Sequence, residues 1–270
     1  MYTKDFSDEE KKEMRNLLRL SDTMLKVSEI FVSIQGEGVS AGVPVVFIRL
    51  SLCNLSCKFC DTPYTFNWEG TDFKHDTKSY EQVKYDPRKE IISKTPLEIF
   101  DNVCYLAHDN IKRVVITGGE PLMQQKSSAF VRLLSLLRIK GFDIEVETNG
   151  TIIPTDQVNE HITQYNVSPK LNNSGNSLKA RRKDSAYTFF VIRGAYFKFV
   201  VSDYTDLKEI EELCKMYKIP ADKVLLMPEG RTTEEITNRS QQIVKLCVDK
   251  GYRFCTRLHI HIWDGVKRGV

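Results

Sequence analysis

No stretch of this chain is long or apolar enough to cross a bilayer, so a helical membrane protein is excluded. Residues Met1 to Lys12 carry charges where a secretory signal has its apolar centre, so export is not expected. An excess of one charge is lacking too. Lys and Arg number 39 and Asp and Glu 36, and the net charge of +3 is too small to imply a nucleic-acid partner. Paired cysteines are also missing. There are 7, an odd number, and Cys104, Cys214, Cys247 and Cys255 are scattered without paired spacing. That pattern argues against a disulfide framework and for a reducing compartment, so the cytoplasm is the expected location. What remains is an ordinary globular balance, 41% hydrophobic and 28% charged, over 270 residues: one large domain or two small ones.

The other three cysteines stand together in Cys53-Asn54-Leu55-Ser56-Cys57-Lys58-Phe59-Cys60. They follow an apolar run, Val45 to Leu52, that reads as a buried strand. Three thiolates on one short loop can grip one inorganic centre. Three is one fewer than a closed structural zinc site or an ordinary iron–sulfur cluster takes. A [4Fe–4S] cluster held by three cysteines keeps one iron open to a small ligand. The residues alone leave two other readings: a non-catalytic zinc loop completed by a distant His or Cys, or thiols buried as small apolar side chains.

Ser7 to Leu20 reads as an amphipathic helix, with Ser7 and Glu10 at the spacing of a capping box. Residues 1–26 are therefore expected to be a helical extension, and 27–270 the main domain. Val27 to Ile34 alternates as a strand and runs into Gln35-Gly36-Glu37-Gly38. Two glycines there allow a tight turn and close approach to a ligand, or simply a hairpin. Arg49 sits inside the apolar strand Val43 to Leu50, where a guanidinium needs an anion: a structural ion-pair partner or a ligand carboxylate. Residues 63–94 are polar and aperiodic and read as an insertion or lid.

From Thr95 onward helices and strands alternate. Strands are expected at Arg113 to Thr117, Asp143 to Thr148, Gln164 to Val167, Tyr196 to Val201, Lys223 to Met227 and Arg253 to Trp263. Such alternation implies a parallel sheet. Gly118-Gly119-Glu120-Pro121, Asn149-Gly150, Ser168-Pro169-Lys170 and Pro228-Glu229-Gly230 fall at strand ends, the rim where parallel barrels build their sites. Asn172 to Ser177 and the basic run Lys179 to Lys183 are expected to form a loop on the same edge, the basic run solvated or else touching an anionic partner.

The cysteine spacing, with Phe59 before the last Cys, resembles the signature of the radical S-adenosylmethionine (radical SAM) enzymes, and Gly118-Gly119-Glu120-Pro121 resembles their second motif. The likeness narrows with Ser33 to Gly38, Arg49, Cys60-Asp61-Thr62, Glu147 to Thr151 and Ser168 to Lys170. In that order these are similar to the 7-carboxy-7-deazaguanine synthase family, from about Val27 to the C-terminus. The N-terminal helix, the insert after Thr62 and the long loop after Lys170 depart from it.

The resemblance implies an α/β fold, an incomplete parallel (βα) barrel of about six strands with an added N-terminal helix and hairpin. It implies that Cys53, Cys57 and Cys60 ligate a [4Fe–4S] cluster. Phe59, Asp61, Gly119, Glu120, Ser168, Pro169 and Lys170 would contact SAM, and Met227, Pro228, Glu229 and Gly230 match a further SAM segment more loosely. Ile34, Gln35, Gly36, Arg49 and Thr117 would contact a pterin, and Thr62 would ligate Mg2+. The implied reaction splits reductively cleaved SAM to a 5′-deoxyadenosyl radical, which takes hydrogen from C6 of 6-carboxy-5,6,7,8-tetrahydropterin. Ring contraction and loss of ammonia give 7-carboxy-7-deazaguanine. An electron donor such as flavodoxin or ferredoxin and a homodimer are implied with it. No general base is evident; His259 is a candidate. The rival within the radical enzymes is a glycyl-radical-enzyme activating protein.

Overall fold

The computed structural model describes residues 7–71, 84–264, 266 and 268–270. Its strands are β1 (Leu25–Ile34), β2 (Pro44–Leu50), β3 (Ile92–Lys94), β4 (Arg113–Gly118), β5 (Asp143–Thr148), β6 (Gln164–Val167), β7 (Tyr196–Val201), β8 (Val224–Pro228) and β9 (Arg253–Phe254). They form one sheet in the order β3-β1-β2-β4-β5-β6-β7-β8-β9. From β2 to β9 every neighbour is parallel, while β1 runs antiparallel to both β2 and β3. Successive strands lie side by side without a reversal, which is the winding of a barrel. Among the described residues β9 pairs with β8 alone, so the barrel stays open.

Side chains alternate across a strand, and here the two faces differ in chemistry. Ile48 and Leu50, Val114 and Ile116, Ile144 and Val146, Tyr165 and Val167, and Phe197 and Phe199 pack in one outer core. The helices Pro96–Ala107, Ser128–Lys140, Asp184–Ile192 and Thr205–Tyr217 cover that face with Ile99, Val103, Leu133, Leu137, Phe190 and Ile210. Each such buried side chain contributes about 1.5–3 kcal/mol. The intervening positions, Arg49, Thr117, Glu145, Glu147, Asn166 and Lys198, fall on the inner face. A face carrying these groups cannot collapse on itself as an apolar core does, because buried charges need partners and solvation. The outer layer supplies the apolar core, and the inner face is left to form a site.

Two expectations are corrected. Arg253 to Trp263 is not one strand: β9 ends at Phe254 and a short helix, Leu258–Ile262, follows. The chain leaves the sheet because the Leu258 amide donates to Gly36 O at 2.8 Å and Arg257 turns to two carboxylates. The segment after Lys170 is not simply a solvated loop. It contains the helices Leu178–Arg181 and Asp184–Ile192, and the second buries Ala186, Tyr187 and Phe190.

Of the 63–94 insert, residues 72–83 lie outside the described residues. The rest includes the 3-10 turn Pro63–Thr65, the helix Pro87–Glu90 and β3. Trp68 and Ile91 pack with Leu52, and Leu18 joins them from the N-terminal helix Asp8–Leu18. That helix carries the Ser7–Glu10 capping box, and Glu10 accepts from Arg88 Nη1 at 3.0 Å.

Candidate active site

A cavity of about 700 Å³ occupies the inner face, within the size range of small-molecule sites. The cysteine loop enters it from the end of β2. Leu52 turns the chain there at φ 79, and its carbonyl accepts the Glu120 amide at 2.8 Å. Gly118 and Gly119 make this junction possible. A Cβ on Gly118 would stand 2.0 Å from Leu50 O, and one on Gly119 2.1 Å from Leu52 O and 3.0 Å from Cys53 Cβ. Two residues without side chains seat the end of β4 against the root of the loop.

Cys53, Cys57 and Cys60 all line the cavity. Burial pushes all three thiols up, Cys60 to about 12, so without metal they are neutral. Among the described residues no three His, Cys, Asp or Glu side chains converge closely enough to hold an ion. Neutral thiols have no reason to converge; iron taking the place of their protons gives them one. The donor set fits a cluster that needs three thiolates from one short loop.

The same cavity is lined by Phe59, Asp61, Thr62, Gly119, Ser168, Lys170, Met227, Pro228, Glu229 and Gly230. Lys170 Nζ donates to Ser168 Oγ at 2.8 Å, and Thr62 Oγ1 lies 3.6 Å from Cys60 Sγ. Two residues expected in this group are not in the lining, Pro169 and Glu120. The Glu120 side chain is fully buried and turned to β5. Its carboxylate accepts from Leu122 N at 3.0 Å, Thr148 Oγ1 at 2.9 Å and Asn149 N at 2.7 Å. Burial pushes its carboxyl up to about 7 against the pull of these bonds. Its side chain ties the ends of β4 and β5 together instead of reaching into the cavity.

Ile34, Gln35, Gly36, Arg49 and Thr117 also line the cavity, but from a different direction. Because β1 is antiparallel to β2, the Gln35–Gly38 turn lies at the rim opposite the cysteine loop. It forms the floor. Gln35 Nε2 donates to Glu147 at 3.1 Å, and Thr117 Oγ1 donates to the other Glu147 oxygen at 2.7 Å. Arg49 Nε pairs with Glu29 at 2.6 Å, and the Tyr64 hydroxyl donates to the same Glu29 oxygen at 2.7 Å. Among the described residues the terminal nitrogens of Arg49 donate to no protein acceptor. The two sequence readings of Arg49 therefore coexist: it has a structural partner through Nε and still faces the cavity.

Glu37, Lys198 and Arg257 were assigned no site role from the sequence, and His259 only that of a candidate general base. Glu37 pairs with Lys198 and, at 2.8 Å, with Arg257 Nε. Burial works against its charge, yet Lys198 and Arg257 hold the carboxyl well below its usual range. Arg257 also donates to Gly230 O at 2.6 Å and pairs with Asp61. One guanidinium thus joins the floor, the β8 exit and the cysteine loop. His259 lies against Gly36, where a Cβ would stand 2.1 Å from its Nδ1. Burial pushes the imidazole down, so it is neutral at pH 7. For Lys198 a signal existed: it is a charge inside an otherwise apolar strand, as Arg49 is. For Arg257 there was none.

A family model described as the Radical SAM superfamily matches residues 48–170. A 7-carboxy-7-deazaguanine synthase from Pyrobaculum aerophilum is 36% identical over 246 residues, spanning 90% of this chain and 96% of that protein. The chain belongs to the 7-carboxy-7-deazaguanine synthase family. A synthase of the same name from Halobacterium salinarum is 35% identical over 262 residues, 89% of this chain and 91% of that one. The crystal structure of QueE from Escherichia coli shares the fold, with a TM-score of 0.58 and 25% identity over 94% of this chain and 100% of that one. Membership in this synthase family sets aside the zinc module and the glycyl-radical activating protein. As a radical SAM synthase the chain takes a [4Fe–4S] cluster and SAM.

Proposed function

We propose that this chain is the radical SAM lyase that converts 6-carboxy-5,6,7,8-tetrahydropterin to 7-carboxy-7-deazaguanine with release of ammonia, in queuosine or other 7-deazapurine biosynthesis. The observation that carries this reading is the single cavity that sets three thiols at one rim and a hydrogen-bonding floor at the other. Cys53, Cys57 and Cys60 would hold the cluster. Phe59, Asp61, Gly119, Ser168, Lys170 and Met227 to Gly230 would surround SAM. Bound together, cluster and SAM supply the one-electron chemistry that removes a hydrogen atom from the substrate. The chain's own part is to bind, orient and exclude water. Gln35 and Gly36 form the floor; Gln35 Nε2 and, from the end of β4, Thr117 Oγ1 both donate to Glu147, and His259 packs against Gly36. The terminal nitrogens of Arg49 offer a fork for the substrate carboxylate.

Anaerobic incubation with the carboxytetrahydropterin, SAM and a reductant tests the reading directly. Formation of 7-carboxy-7-deazaguanine is expected, and SAM cleavage without it would reject the substrate. Arg49→Lys keeps the charge but loses the planar fork. It is expected to retain cluster and SAM binding while losing turnover efficiency about ten- to hundredfold, the ~1.5–3 kcal/mol of a charge-assisted bond. Pterin turnover equal to that of the unaltered enzyme would make Arg49 a partner of Glu29 alone.

The finer points of the reading are proposals of the same kind. Thr62 would be a ligand of Mg2+, which keeps most of its shell as water and substrate oxygens. Turnover is expected to rise with added Mg2+, and Thr62→Ala to blunt that response at unchanged iron content. Turnover indifferent to Mg2+ would remove the metal from the scheme. Within the domain formed by 27–270, Pro63, Tyr64, Phe66, Asn67 and Tyr85 of the insert would cover one side of the cavity that they line. A homodimer, a flavodoxin or ferredoxin as donor, and a cytoplasmic location complete the proposal.

A further inference from the structure

The loop after Lys170 is one of the places where the sequence departs from the family resemblance, and the functional reading gives it no task. In the structure it lies on the cysteine loop. Gly175 stands at φ +77, and a Cβ there would fall 2.5 Å from Lys58 Cε, so its backbone crosses the Lys58 stem at a distance that glycine permits. Ser174 is fully buried, and its carbonyl accepts the Lys58 amide at 3.0 Å.

Asn176 reaches further. Its Oδ1 accepts the Ser56 amide at 3.0 Å. A backbone N–H can only donate, so this bond fixes which way the side-chain amide points. Nδ2 then faces Cys57 Sγ at 3.3 Å and donates to it, with Ser174 Oγ at 3.2 Å as a second acceptor. The three cysteines are thereby unequal. Cys60 has the Thr62 hydroxyl at 3.6 Å and the Thr62 backbone N–H, and Cys53 the Leu55 backbone N–H, all within two residues along the same loop. Among the described residues no side chain donates to Cys53. Cys57 alone receives an N–H from a distant part of the chain, 119 residues on.

We propose that Asn176 is a positioning residue for the cluster: its N–H holds the Cys57 sulfur and raises the cluster's reduction potential. This rests on the reading of Cys53, Cys57 and Cys60 as ligands. One added electron increases the negative charge shared by the iron and its thiolate sulfurs. A donor already aimed at one sulfur stabilises the reduced form more than the oxidised one, and hydrogen bonds to sulfur are an established control of cluster potential. The electron itself comes from the external low-potential carrier that the radical SAM reaction requires. The same contact covers Cys57, which is 7% exposed, and keeps water from competing for its sulfur.

The test is an anaerobic redox titration of the holoenzyme followed by EPR, without substrate, with iron and sulfide counted for each protein. Asn176→Ala removes the donor and adds no charge. Asn176→Asp keeps the shape and the acceptor for Ser56 but loses the N–H. Both are expected to keep their iron and to shift the one-electron equilibrium toward the oxidised cluster about three- to tenfold, tenfold being ~59 mV. An unchanged midpoint in an iron-replete Asn176→Ala protein overturns the proposal. If that variant loses its cluster, an unchanged midpoint in Asn176→Asp does the same. Loss of iron from both, with the unaltered enzyme intact, would show that Asn176 merely holds the loop, and also overturns it. An unaltered enzyme that binds no iron–sulfur cluster would instead strike the ligand reading on which the proposal rests.

Discussion

Cys53→Ala, Cys57→Ala and Cys60→Ala are each expected to abolish SAM cleavage and pterin turnover, while Cys104→Ala and Cys247→Ala are not. The difference lies in position. The first three line the cavity. Cys104 is on the outer helix Pro96–Ala107, packed against the outer core, and Cys247 is buried in the helix Thr233–Lys250. A site with three protein ligands has no spare, so a cluster left with two of them would be lost or could not take SAM. The measurement is iron per chain together with 5′-deoxyadenosine released under reducing, anaerobic conditions. Full activity in any one of the three loop variants would remove the basis of the proposed chemistry.

The second large effect is expected at Arg257. Its side chain is 8% exposed and pairs with Glu37, 15% exposed, and Asp61, 47% exposed. Arg257→Met fills similar space but leaves both carboxylates without this partner. Orphaning a fully buried charge costs roughly 3–5 kcal/mol. Here Lys198 still pairs with Glu37, and water reaches Asp61, so about 2–3 kcal/mol is the better figure. The loss should appear as a lower thermal midpoint of the holoenzyme. Activity should fall further than stability does, because the same change frees Gly230 O and loosens the segment that holds His259 over Gly36. A variant as stable and as active as the unaltered enzyme would show that the three-way contact has no energetic weight.

The cysteine loop, the glycine pair after β4 and the strands of the parallel sheet were legible because each depends on neighbours within a few residues. The short helix Leu258–Ile262 was not. Its run of alternating His and Ile has the period of a strand, and five residues are too few to show a helical one. Only the contacts of Leu258 with Gly36 and of Arg257 with Glu37 and Asp61 decide it. The helix Asp184–Ile192 was missed for the opposite reason: Ala-Tyr-Thr-Phe-Phe-Val-Ile is apolar nearly all round and shows no polar face. The rim at which the floor lies was not legible. The Gln35–Gly38 turn follows a strand, like the other site segments, but that strand alone runs the other way against β2. Direction within a sheet belongs to pairing, which no single segment records. Glu120 shows in addition that a motif residue beside a cavity can serve the scaffold with its side chain.

The three-way contact of Arg257 also bears on how the protein is made. Arg257 follows Glu37 by 220 residues and Asp61 by 196. A chain emerging from the ribosome has its cysteine loop and its glycine turn long before the residue that ties them together exists. At ~5–20 residues per second, the interval between Asp61 and Arg257 is about 10–40 s. Throughout it the floor and the loop share no guanidinium, and the cavity cannot be locked. Biogenesis is therefore ordered by the chain itself: thiols are presented first, and the pocket can close around them only once Arg257 has been made.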